Sequence, residues 1–254
     1  MSQKAERIAV TVLSTPIDVL TWDTVISRIQ QWATQRESRY VCVCNVHSVV
    51  TARGDILFKK ILSASDIATA DGAPVAWMLR RRGYPLQRRI NGPDLMWLYC
   101  EQASKRGESI YLYGGSPETL NVLQDRLIKA FPGLKIAGAV SPPFRPLTEE
   151  EDRAEVAHIN NSGAQTVWVS LGCPKQEKWM ASHKGRINAV MIGVGAAFDY
   201  HAGTITRAPL WMQKIGLEWL FRLIREPRRL WRRYLVTNSL FIWFATYQLL
   251  FQKR

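Results

Sequence analysis

Residues 165–199 read Gln165-Thr-Val-Trp-Val-Ser-Leu-Gly172-Cys-Pro-Lys-Gln-Glu-Lys-Trp-Met-Ala-Ser-His183, then Lys184-Gly-Arg-Ile-Asn-Ala-Val-Met-Ile-Gly193-Val-Gly-Ala-Ala-Phe-Asp199. An apolar, β-branched run stops at a glycine, a proline opens an amphipathic stretch, and a second apolar run stops at glycine again. That is a strand–turn–helix–strand unit. Working outward, the same rhythm predicts strands at Tyr40–Cys44, Asp66–Ala70, Ser109–Tyr113, Lys135–Val140, Gln165–Leu171 and Asn188–Ile192. Helices are predicted at Trp22–Arg36, Pro74–Arg82, Pro93–Lys105, Pro117–Phe131, Thr148–Asn161 and Pro174–His183. Four of these open on proline, where the missing N–H costs nothing. Strands alternating with helices through short connections predict an α/β fold with a mostly parallel, Rossmann-like sheet covered by helices on both faces. Ser141-Pro-Pro-Phe-Arg-Pro146 is a stiff loop, and no repeat interrupts the pattern.

After Thr206 the rhythm changes. Ala208–Arg225 and Pro227–Phe251 read as helices with no further strand, separated at Pro227 because the residue before a proline disfavours helical angles. The reading is therefore an α/β core over 1–206 and a basic, amphipathic helical appendage over 207–254. The charge distribution supports that division. Of a net +13, residues 201–254 hold ten Lys/Arg against two Glu, whereas the first two hundred hold 24 basic and 19 acidic residues. Such a tail is suited to an anionic partner: a phosphate, a membrane surface or a nucleic acid.

With 254 residues, 47% hydrophobic and 22% charged, the chain can bury a large core, which excludes wholesale disorder. Cys42, Cys44, Cys100 and Cys173 have no zinc or disulfide spacing and read as reduced core or loop residues. Met1–Ile8 is polar and leads into strand-like Ile8–Leu13 without a secretory leader, so a cytosolic compartment is expected.

In open α/β sheets ligands bind at the carboxyl ends of the strands. Those ends here carry Asn45, Asp71-Gly72, Gly114-Gly115, Gly172-Cys-Pro-Lys-Gln176, and Gly193-Val-Gly195 followed by Asp199. Glycine allows close backbone approach, and exposed helix N–H groups favour phosphate, so several such turns on one edge suggest a nucleotide diphosphate pocket. Asp71 has two readings: a general base at the sheet edge, or the cap of the helix that follows. Asn45 either holds a sugar hydroxyl or ends a strand. Arg89 suits a donor phosphate. No Asp-x-Asp and no His pair with ligand spacing occurs, so no metal and no cofactor is expected. Arginines and helix ends then offset the phosphate charge.

These motifs, in this order, resemble the WecG/TagA/CpsF glycosyltransferases over roughly Ile17 to Arg233. The resemblance rests on Ala70-Asp71-Gly72, Arg89-Ile-Asn-Gly-Pro-Asp94-Leu95, Gly172-Cys-Pro-Lys-Gln-Glu-Lys-Trp179 and Gly193-Val-Gly-Ala-Ala-Phe-Asp199. It also rests on the long run from Arg207-Ala-Pro209 through Glu218-Trp219-Leu-Phe-Arg222 to Pro227. It implies inverting transfer from a UDP-sugar to a polyprenyl-diphosphate-linked saccharide, for cell-surface or exopolysaccharide synthesis. The family's base falls on Asp71. Its sugar-pocket residues fall on Asn45, Arg89 and Gln176. Its appendage arginines fall on Arg222, Arg229 and Arg232, which are thought to meet the diphosphates. Val43 stands where some members have Thr, so donor identity, N-acetylmannosamine in particular, does not carry over.

Arg222, Arg225, Arg228, Arg229, Arg232 and Arg233 interleave with Phe221, Leu230, Trp231 and Tyr234, as in an interfacial helix on anionic lipid. The residues from Tyr234 to Phe251 carry no charge but include Thr237, Asn238, Ser239, Thr246 and Gln248. Lying on a membrane, spanning it, or packing on the core or on a second subunit all stay open for this helix. The leading expectation is a peripheral enzyme at the cytoplasmic face of the inner membrane. The competing class is a nucleic-acid or nucleotide-binding module, which rests on basicity and ten tryptophans but has no recognised motif. A dehydrogenase lacks its Gly-x-Gly-x-x-Gly turn after the first strand and ranks last.

Overall fold

The computed structural model describes residues 7–251. The chain opens on an antiparallel hairpin, β1 (Ala9–Val12) and β2 (Thr15–Asp18), which turns through Leu13 at φ +58°. Helix α1 (Trp22–Thr34) buries Val25, Ile26, Ile29 and Ala33, the stripe its spacing predicts. Strand β3 (Arg39–Cys44) leads into α2 (Val46–Gly54) and α3 (Ile56–Ser63), whose N-termini are capped by the Asn45 and Asp55 side chains. Next come β4 (Ile67–Ala70), α4 (Ala73–Arg81) and α5 (Gly92–Arg106). The remaining alternation is β5 (Ser109–Gly114), α6 (Pro117–Ala130), β6 (Lys135–Val140), α7 (Glu149–Asn161), β7 (Thr166–Ser170), α8 (Lys175–His183), β8 (Val190–Gly193) and α9 (Ala197–Ala202). Helices α10 (Leu210–Lys214), α11 (Glu218–Arg225) and α12 (Pro227–Phe251) finish the described chain.

The fold is α/β, as the sequence predicts. Six strands form an all-parallel sheet in the order β4-β3-β8-β7-β5-β6. Helices flank the sheet, so its strands read as apolar runs rather than alternating ones: Ile67–Ala70 and Val190–Gly193 are buried at every position.

Two compact units divide the chain. The first holds the described residues up to Thr21, Cys44–Ile90 and Ala208 onward; the second holds Trp22–Val43 and Asn91–Arg207. In the first unit α12 packs along α2 and buries Leu230, Thr237, Phe241, Ala245 and Gln248. Gln248 explains how a polar residue is housed there. Its Oε1 accepts the Leu13 N–H at 2.9 Å and its Nε2 donates to Thr11 O at 2.7 Å, satisfying the hairpin turn. Arg53 adds a cation–π contact to Phe244 at 4.1 Å and a hydrogen bond to Leu13 O at 3.1 Å. The outward side of α12 shows Trp231, Leu235, Ile242 and Trp243 to solvent. Among the described residues no helix is long and apolar enough to cross a membrane.

The second unit holds five of the six strands. Trp168, Tyr111, Tyr113 and Phe198 are among its largest fully buried side chains. Arg207 closes it with a forked ion pair to Asp94, whose helix α5 is capped by Asn91.

Several details depart from the sequence reading, among them β2 and α9, which the pattern does not predict. The helix predicted over Ala208–Arg225 breaks into α10 and α11 at Gly216, which sits at φ +79° with Ala73 so close that a Cβ there would lie 2.8 Å from it. Residues 46–63, left without structure by the pattern, hold α2 and α3. The buried positions of α2 (Ser48, Val49, Val50 and Ala52) make no clean stripe, so periodicity is silent. Pro174 caps α8 instead of opening it, and Lys175 begins the helix.

Candidate active site

Many of the residues singled out in the sequence gather as two clusters, one in each unit: Asp71, Arg89 and Arg222 in the first, and Gln176, Gly172, Gly195, Gly114 and Gly115 in the second. In the first, buried strand β4 delivers Asp71. Its backbone N–H donates to Cys44 O at 2.9 Å, which fixes the turn. Gly72 follows at φ +84° and is the residue on which α4 begins, and α4 has no side-chain cap. Gly72, not Asp71, is thus the N-cap residue of α4, and the Asp71 carboxyl accepts the Gly72 backbone N–H just ahead of the helix. Protein surrounds that carboxyl closely, yet the residue keeps partial solvent access.

Burial is the largest influence on Asp71 and lifts its pKa from 3.8 to about 6. Arg89 opposes that rise, Glu218 reinforces it, and the Gly72 N–H and Arg222 pull the other way. Arg89 is held by Glu218 of α11 in an ion pair of 2.8 Å, with both side chains less than a fifth exposed. One carboxylate poised near neutrality, among two arginines and a second carboxylate, is the arrangement expected of a general base.

Asn45 caps α2. Its Oδ1 accepts the Ser48 N–H at 3.2 Å while the Ser48 hydroxyl closes the reciprocal bond, so the amide oxygen is committed to the helix. Two residues on, burial and the nearby Arg233 hold the His47 imidazole down at about 4, which keeps it neutral. Arg229 pairs with Glu226 at 2.7 Å, and Arg232 is exposed.

The second cluster lies at the carboxyl ends of β5, β7 and β8. Gln176, buried in the first turn of α8, accepts the Gly195 N–H on Oε1 at 3.1 Å and donates from Nε2 to Glu177 Oε1 at 2.9 Å. Its backbone N–H donates to Gly172 O at 2.9 Å. Gly114 must be glycine: at φ +109°, a Cβ would stand 2.4 Å from Ser170 O. Gly115 donates its N–H to the same Ser170 O at 3.2 Å. Asp199 lies in the first turn of α9 and accepts the Thr204 hydroxyl on its backbone oxygen at 3.2 Å. A pocket lined by Trp22, Asp94, Trp97 and Leu98 contains none of these residues. Among the described residues no group of three His, Cys, Asp or Glu side chains is placed to hold a metal ion.

Compared with models of known protein families, residues 10–254 match the glycosyl transferase WecG/TagA/CpsF family. The chain belongs to this family. It is thus an enzyme, a glycosyltransferase of cell-surface polysaccharide biosynthesis, a family that in general uses a nucleotide-sugar donor and a lipid-linked acceptor.

Several side chains that matter to this WecG/TagA/CpsF member had no role in the sequence reading. Glu218 holds Arg89 and tunes Asp71. The available signal was its rarity, as one of two carboxylates among ten cations in the tail. Glu177 is a buried carboxyl raised by burial, although the Gln176 side chain, its own N–H and Cys173 all hydrogen bond to it. Ser170 donates from Oγ to Gly195 O at 2.7 Å. Glu177 stands inside the quoted Gly172–Trp179 motif but gets no role from it, because a lone Glu in a first helical turn looks like dipole compensation, and Ser170 at a strand end looks like a turn.

Proposed function

We propose that the protein is an inverting glycosyltransferase that moves a sugar from a UDP-sugar to a polyprenyl-diphosphate-linked saccharide, without a metal ion, as a peripheral enzyme at the cytoplasmic membrane face. The observation that carries this reading is Asp71: a carboxyl lifted by burial to about 6, on a residue that keeps partial solvent access at the end of a buried strand, beside Arg89, Glu218 and Arg222.

In the proposed step the ionised Asp71 takes the proton of the acceptor hydroxyl. The oxygen attacks the anomeric carbon, whose bond to the β-phosphate breaks, and the electron pair leaves with UDP. A single displacement with one base inverts the anomeric centre. Charge grows on the departing diphosphate, where arginine stabilises the transition state most effectively; Arg89, Arg222, Arg229 and Arg232 are assigned that role. Gly114, Gly115, Gly172 and Gly195, with Gln176 and Asp199, are assigned to donor binding, since backbone N–H groups suit phosphate oxygens. The exposed aromatic and apolar side of α12, with arginines at its start, suits an anionic bilayer surface.

A transfer assay with a panel of UDP-sugars and synthetic prenyl-diphosphate saccharides, run in EDTA, tests the reading. Turnover with at least one pair and with inverted product supports it. No turnover with any pair, or turnover only after a divalent ion is returned, overturns it. Flotation with anionic vesicles checks the membrane part: a protein that stays at the bottom of the gradient does not bind peripherally.

A further inference from the structure

The carboxyl ends of β8, β7 and β5 are tied by a continuous chain of hydrogen bonds. Glu177 Oε1 accepts from Gln176 Nε2 at 2.9 Å, and Gln176 Oε1 accepts from Gly195 N–H at 3.1 Å. Gly195 O accepts from Ser170 Oγ at 2.7 Å, and Ser170 O accepts from Gly115 N–H at 3.2 Å. Gly115 O then accepts from Ser141 Oγ, on the loop after β6, at 2.6 Å. The first link joins neighbours in the opening turn of α8; each of the other four joins two different turns and has a glycine with positive φ, Gly195 or Gly115, at one end.

The sense of the Gln176 amide decides whether this chain closes. A side-chain amide has an acceptor end and a donor end, and only one orientation puts its oxygen on a backbone N–H and its NH2 on a carboxylate. Gly195 supplies the N–H. Glu177 is 1% exposed and supplies the carboxylate, an expensive group to bury merely to occupy space. Space around the amide is tight as well. A Cβ on Gly193 would come within 2.7 Å of Met180 Cε and 3.0 Å of Gln176 Nε2, so the β8 turn fits only this placement.

We infer that Glu177 is a positioning residue for the nucleotide donor, holding the glycine turns of β5, β7 and β8 in register through Gln176, with Ser170 as the relay in the middle. The inference rests on the proposed reading that these turns take the nucleotide diphosphate. Glu177 touches no reacting atom in this scheme; it acts by keeping backbone donors pre-aligned, which lowers the ordering cost of binding.

The test is UDP binding by calorimetry on three full-length variants, with the thermal midpoint and binding stoichiometry recorded for each. Glu177→Gln keeps a carbonyl acceptor for Gln176 and is expected to bind within about threefold of the unmodified protein. Glu177→Leu removes the acceptor and is expected to weaken UDP about tenfold at unchanged stoichiometry. Ser170→Ala cuts the relay without touching the buried carboxyl and is expected to cost about three- to tenfold; it serves if the leucine variant does not fold. A purely structural Glu177 would lower stoichiometry or the midpoint but leave the dissociation constant of the folded fraction alone. That result, or wild-type-like binding by both Glu177→Leu and Ser170→Ala, overturns the inference. Failure of the unmodified protein to bind UDP sinks the functional reading itself, and this inference with it.

Discussion

The two clusters differ in how they are built. Around Asp71 the groups are charged and compete: burial and Glu218 push the carboxyl up, Arg89 and Arg222 pull it down, and the outcome is a carboxyl whose pKa lies at about 6. Around Gln176 a single buried carboxyl, Glu177, ends a run of side-chain and backbone hydrogen bonds, and glycines at positive φ bring main chains close. The contrast suggests a division of labour. A proton-transfer group needs a protonation state that can change, so opposing fields suit it. A diphosphate cradle needs geometry that does not change, so satisfied hydrogen bonds suit it.

The largest expected effect breaks the first half of that contrast. Asp71→Asn should cut turnover about 10²- to 10⁴-fold, the usual contribution of a positioned base, with little change in UDP affinity. Turnover near that of the unmodified enzyme would remove Asp71 from the mechanism. The second half is attacked at Gly114, where Ala brings both a positive-φ penalty and a Cβ 2.4 Å from Ser170 O. A loss of about 3 kcal/mol in unfolding free energy is expected, measurable by urea titration; a shift below experimental error would mean the backbone yields there.

A finer prediction sharpens the electrostatic account. The base works ionised, so the rate should rise with pH through about 6 and then level off. Glu218→Gln removes a like charge, making Asp71 easier to ionise, and should move that limb to lower pH. Arg89→Met removes an opposing charge and should move it higher. A limb that stays put in both variants would assign the titration to another group.

The smallest effect concerns stability. The folded value of about 6 lies above the unfolded 3.8, so the native state holds the proton more tightly. Asp71 therefore costs stability progressively as pH rises from about 4 to about 6, and the cost persists above that window, with about 3 kcal/mol as its upper bound. Asp71→Asn should accordingly raise the thermal midpoint at pH 7.5, and the gain should vanish near pH 4. An equal gain at both pH values would point to packing rather than charge.

Much of this was legible in the sequence. The six parallel strands lie within a few residues of their predicted bounds; the inner strands are buried on both faces and so are apolar nearly throughout, and the half-buried edge strand β6 keeps an apolar run after Lys135. Asp71 and Arg89 were readable from their motifs, and Gln176 from its place after a glycine turn. Less legible were residues whose role depends on a distant partner. Gln248 looked out of place in an apolar helix until Leu13 and Thr11 supplied its hydrogen bonds. Glu218 read as one acidic residue in a basic tail until Arg89 was found beside it. Asn45 reads in sequence either as a ligand for a sugar hydroxyl or as a strand end, and its amide oxygen caps a helix that the pattern does not reveal.

The amino-acid order alone determined the class of fold, the carboxyl-edge turns and the family, because these follow from short-range periodicity and from residue types at fixed spacing. Only the tertiary structure decided which charges face Asp71, which way the Gln176 amide points, and that the C-terminal helix packs along α2 instead of standing apart. Those outcomes depend on distances between residues far apart in the chain. Coulomb energy and hydrogen-bond geometry vary with ångströms in space, not with separation along a sequence.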